Sequence, residues 1–72
     1  MKEAVEKLVE ERDYLVELLS EEISGIKYYL NKEGIDVERK ASSVVSASRK
    51  LTELLAKIEV LELAAKRLER AQ

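Results

Sequence analysis

Asn31-Lys32-Glu33-Gly34-Ile35-Asp36-Val37 is the one stretch of this chain that reads as a break between regular elements. Gly34 suits the left-handed backbone position just past a helix end, where a Cβ is penalised. Ile35 can then pack back on Leu30, the hydrophobic contact that accompanies a Schellman cap. Asp36 is placed to accept backbone N–H bonds as the N-cap of a second helix. Glu38 in the first turn of that helix, and Lys66, Arg67 and Arg70 towards its end, all favour its dipole. The spacing predicts a helix over about residues 2–33, a turn at 34–36 and a helix over about 37–71. So short a connection joins antiparallel neighbours. The expected fold is all-α, a two-helix antiparallel hairpin over residues 1–72 that assembles into a helical bundle, four-helix if dimeric.

Outward from the turn, seven-residue rows support the same hairpin. In the first helix Val9, Val16, Ile23 and Leu30 form one row, beside Val5, Arg12, Leu19 and Ile26. In the second, Val37, Val44, Leu51, Ile58 and Ala65 lie beside Lys40, Ala47, Leu54, Leu61 and Leu68. Folding the chain back at Ile35 sets Val5 against Ala65, Val9 against Leu61, Val16 against Leu54 and Leu19 against Leu51. It also sets Ile23 against Ala47 and Ile26 against Val44. These residues except Ala65, with Ile58, are the expected hairpin core. Near the turn, Tyr28 and Tyr29 fall opposite Ala41 and Ser42, large rings against small residues. Gly25 costs about 1 kcal/mol relative to Ala inside a helix, so a close helix contact is expected there.

Composition agrees with long helices. Ala, Glu, Lys, Leu and Arg fill 44 of 72 positions, with no proline, a bias typical of extended helical chains. Charges of both signs are interspersed to a net −2, so no bulk field draws the chain to nucleic acid or anionic lipid. No stretch approaches the roughly 18–20 apolar residues of a membrane span. The first residues carry no signal-peptide core. The expectation is a soluble protein without a targeting signal, cytoplasmic if expressed in a cell.

One seam does not use all the apolar residues. Tyr14, Leu18, Gly25 and Tyr28 recur well around the first helix from Val9 and Val16, and Ala56, Val60, Leu63 and Ala64 lie nearly opposite Leu54, Ile58 and Leu61. A helix that is apolar nearly all round is buried on more than one side, and one hairpin partner covers only one. Tyr14, Leu18, Tyr28, Ala56, Val60, Leu63 and Ala64 are therefore the expected oligomer interface. The expected partner is the chain itself, as a dimer in preference to a trimer or larger ring. Arg12 and Glu22 interrupt apolar rows symmetrically about Glu17. If two first helices met antiparallel there, the two charges would pair between subunits and fix register; otherwise both simply reach solvent at the seam's edge.

Catalytic chemistry finds little support. The chain has no His and no Cys, which removes the commonest base, the thiol nucleophile and disulfides. There is no Gly-rich phosphate loop. Carboxylate pairs such as Glu10/Glu17 and Glu62/Glu69 repeat along helix faces, but the Glu-x-x-His partner of carboxylate metal bundles is missing. Glu53/Lys57 and Glu62/Lys66 have the spacing of surface ion pairs. Ser42, Ser43, Ser46 and Ser48 read as packing or partly exposed positions rather than a ligand-lined pocket. Basic residues of the second helix, such as Arg39, Arg49, Lys57 and Arg67, scatter around it between glutamates and form no phosphate-tracking stripe. The expectation is no enzyme, no cofactor, no metal, no small-molecule ligand, no nucleic acid and no membrane.

With its opening Met1-Lys2-Glu3, heavy use of Glu, Lys, Ala and Leu, the Glu33-Gly34-Ile35-Asp36 connector and mutually consistent caps and rows, the chain resembles de novo designed helical-hairpin homo-oligomers. The resemblance spans all 72 residues and is one of pattern, not of a motif. Gly25, Tyr28-Tyr29 and the serine run depart from the most idealised designs. What the resemblance implies is symmetric self-assembly as a structural protein. The alternative is a helical adaptor or chaperone-like module whose second apolar stripe holds a different protein.

Overall fold

The computed structural model describes residues 2–71; Met1 and Gln72, the ends of the expected domain, lie outside the described residues. Two helices make up the fold, α1 over Lys2–Asn31 and α2 over Val37–Ala71. They pack against each other as a hairpin, and there are no strands among the described residues. Helix α1 stops two residues before the expected end, which leaves residues 32–36 as the connection.

The turn is closed by its own chemistry. Gly34 has φ 83°, the left-handed conformation that its missing Cβ permits. The Asp36 carboxylate accepts from the Arg39 backbone N–H at 2.8 Å, and the Asp36 carbonyl accepts from the Lys40 N–H at 3.1 Å. This is an N-cap that satisfies one of the orphan donors of α2. The end of α1 differs from the expected Schellman pattern. Its last turn tightens through the Lys32 N–H donating to the Tyr29 carbonyl at 3.3 Å. The Leu30 carbonyl accepts from the Lys40 ammonium at 2.8 Å. A side chain of α2 thus satisfies the carbonyl that a Schellman bond from Ile35 would have taken.

Burial defines which rows face inward. Ala47, Ile58 and Ala65 of α2 are the buried core residues, and α1 contributes none. On α1 the half-buried residues are Val5, Arg12, Leu19 and Ile26 with Leu8, Leu15, Glu22 and Tyr29, flanked by Val9 on one side and Leu18 on the other. On α2 they include Leu51, Leu54, Leu61, Ala64 and Leu68 around the three buried residues. The seam on α1 is therefore one row around the helix from the expected one. Val16, Ile23 and Val44, expected in the core, are 41%, 40% and 40% exposed. The reason is that Arg12 and Glu22 do not keep their rows out of the seam. Their long stems lie along it while their charged ends reach the groove edges.

Along the seam, Ile26 lines a groove with Ala47, and Val9 lines one with Ala65. Gly25 makes no close helix contact, since a Cβ built on it would meet nothing within 4 Å. It lies on the flank of the seam, open to solvent. The molecule is a thin rod, with Cα extents of 56 × 15 × 10 Å. Its radius of gyration is 16.6 Å, against about 11 Å for a compact domain of this length.

Candidate functional site

Two helices side by side have two broad faces, and the grooves between them show which residues share each. One groove is lined by Val9 and Arg12 of α1 with Glu62, Ala65, Lys66 and Glu69 of α2. Steps of seven from these residues stay on the same side of a coiled pair. They lead from Val9 to Val16, Ile23 and Leu30, and from Ala65 back to Ile58, Leu51, Val44 and Val37. From Glu62 they lead back to Leu55, Ser48 and Ala41. This is the valine face.

The opposite face carries grooves lined by Glu11, Leu15, Ala56, Lys57, Val60 and Leu61, and by Glu22, Gly25, Tyr29, Ser43, Ser46 and Lys50 among others. Steps of seven place Leu18 with Glu11 and Gly25, Leu63 with Ala56, and Ala64 with Lys57. Tyr14 and Tyr28 lie in the row next outward from Leu18. All seven residues expected at an oligomer interface thus fall on this one tyrosine face. Tyr14, Tyr28, Val60 and Leu63 are well exposed, Ala56 is exposed, and Leu18 and Ala64 are half-buried.

The two faces differ in charge. On the valine face, neither the Val9, Val16, Ile23, Leu30 row nor the Val37, Val44, Leu51, Ile58, Ala65 row contains a charged residue. Its charges include Asp13 and Lys27 in the next row outward on α1 and Arg12, Glu62, Lys66 and Glu69 at the end away from the turn. On the tyrosine face every row is interrupted: Glu21 between Tyr14 and Tyr28, Lys50 and Lys57 before Ala64, Glu53 before Val60, Arg49 and Arg70 around Ala56 and Leu63. Removing that face from water would strand or force pairing of these charges, at a cost that coulombic attraction repays only with good geometry.

The side-chain hydrogen bonds among the described residues run mostly within one helix. Arg12 donates to Asp13 through Nε at 3.1 Å and Nη2 at 2.8 Å. It sits half-buried in the row facing α2, as does Glu22, which lines a groove with Lys50. Arg39 pairs with Asp36 at 3.7 Å. The Glu53/Lys57 and Glu62/Lys66 spacings close no ion pair among the described residues. Ser48 and Thr52 donate to the Val45 and Ser48 carbonyls at 2.9 and 2.8 Å, back-bonding that spends their hydroxyls within α2. Ser42, Ser43 and Ser46 line an open groove with Tyr29, Asp36 and Arg39 at the turn end.

Among the described residues no three His, Cys, Asp or Glu side chains are grouped to hold a metal ion, and no helix is long and apolar enough to cross a membrane. Comparison with protein-family models, with curated proteins and with solved structures gives no match.

Proposed function

We propose that this chain is a structural self-associating protein whose hairpins assemble into a helical bundle, a dimer of four helices being the simplest closed form. The observation that carries this reading is the surface left over. The hairpin exposes 5895 Å² for 8.2 kDa, whereas a compact monomer of that mass exposes about 4500 Å². An excess of about 1400 Å² per chain is in the range that each partner of an obligate homodimer covers. Its composition supports the same reading, because the excess includes Val16, Ile23, Leu30, Val44, Leu55 and Val60, all at least 40% exposed. Isolated large apolar side chains are ordinary on a surface, but continuous rows of them are interaction sites.

Light scattering coupled to size-exclusion chromatography tests the reading. One discrete species of two chains, highly helical by circular dichroism, is the expected result. A monomer that gains order only when a different protein is added would replace this reading with the adaptor alternative.

A further inference from the structure

Resting on that reading, we infer that the second copy docks on the valine face rather than the tyrosine face, with the two turns at opposite ends of the bundle. Six of the large exposed apolar side chains, Val16, Ile23, Leu30, Val37, Val44 and Leu55, belong to this face. Its two central rows carry no charge, and the charges lining its groove, Arg12, Glu62, Lys66 and Glu69, are confined to the end away from the turn, whereas charges interrupt every row of the tyrosine face along its length. In Cα dimensions the broad side measures 56 by 15 Å, about 800 Å², the area each partner contributes to a stable interface.

Orientation follows from the rims. Leu15 shares a groove with Lys57, and Glu22 shares one with Lys50, so Ser20 and Thr52 stand at one level of the rod, near its middle. Along the rim of α1, Asp13 and Lys27 lie seven residues either side of Ser20. Along the rim of α2, Glu38 and Lys66 lie fourteen residues either side of Thr52. A two-fold axis crossing the rod at this level stacks α1 on α1 and α2 on α2, each pair antiparallel. It brings Asp13 to Lys27 of the second copy and Glu38 to Lys66 of the second copy. The same axis sets Leu55 against the small Ser48 of the other chain, and Val16 against Ile23. Asp13 is available for this, its side chain being 63% exposed despite its bond to Arg12. The arrangement with turns at the same end stacks α1 on α2 instead; it pairs Glu6 with Lys66 of the copy but sets Asp13 beside Glu59, so each attraction there is offset by a repulsion. Complementary rims fix orientation more than they add affinity.

Cysteine cross-linking reads the arrangement directly, since Ser20, Glu21 and Thr52 are all exposed, where substitutions usually cost little. Under mild copper phenanthroline oxidation, Ser20→Cys and Thr52→Cys should each form a covalent dimer with themselves, while Glu21→Cys, on the tyrosine face, should stay uncross-linked. If Ser20→Cys links only to Thr52→Cys in a mixture, the turns lie at the same end and the inference is overturned. Self-linking of Glu21→Cys, or a native trimer by light scattering, also overturns it while leaving self-association standing. A monomeric native chain removes both.

Discussion

Asp36, Gly34 and Gly25 show how differently single residues act in one hairpin. Asp36 caps α2 through the Arg39 N–H, so Asp36→Ala should cost about 1 kcal/mol and lower Tm by about 4–8 °C, with Asp36→Asn nearly neutral. Thermal melts followed at 222 nm check both. The two glycines should respond with opposite signs. Gly34 holds φ 83°, and alanine there should destabilise by about 1 kcal/mol. Gly25 is helical with nothing within 4 Å of a built Cβ, so Gly25→Ala should stabilise by about 0.5–1 kcal/mol. A drop in Tm for Gly25→Ala would mean that a neighbour comes close to that backbone in solution.

At the level of the helices, burial is lopsided. Ile58 is 7% exposed at the centre of the α2 stripe, whereas Val60, two residues on, is 65% exposed. Ile58→Ala should therefore cost about 2 kcal/mol, the shallow end of core truncations, and Val60→Ala less than about 0.5 kcal/mol. Chemical denaturation of the two variants separates them; equal losses would mean that Val60 is covered. The hairpin itself was legible because turn chemistry and heptad rows agree: Gly34, Asp36 and the α2 rows through Ala47, Ile58 and Leu61 each point to it independently. The rotation of α1 was not legible. Three adjacent rows of that helix are mostly apolar, and the row of Val9, Val16, Ile23 and Leu30 is the one free of charge. Pattern alone favours the charge-free row for the seam. The fold instead turns inward the rows holding Arg12 and Glu22, because long side chains can lie in a shallow seam and still reach water. The same rotation explains why the interface residues picked from periodicity fell on the tyrosine face. Once Val9 and its row are assigned to the hairpin core, only the far side of each helix remains to be covered. How Lys40 would reach the Leu30 carbonyl was likewise hidden, since that contact depends on the path of the connection, not on any local spacing.

For the whole molecule, stability and association are expected to be linked. If two chains fold as one unit, tenfold dilution should lower Tm by about 5 °C, given the usual unfolding entropy per residue for both chains together. A Tm that stays constant from millimolar to micromolar protein would identify a self-sufficient monomer. Small-angle scattering offers a second reading, because a lone hairpin has a radius of gyration near the 16.6 Å of its Cα atoms. A stacked pair is thicker but no longer than the single rod. Its scattering should keep the long dimension while the cross-section grows.

The smallest extent of the rod, 10 Å between Cα atoms, has a kinetic consequence. A body one helix thick has no middle layer, and every side chain of a single chain stays within reach of water. On the proposed dimer, expelling that water requires an encounter with another chain, so the main refolding phase should be bimolecular. Its observed rate should climb with protein concentration, where a self-contained hairpin would refold at a constant one.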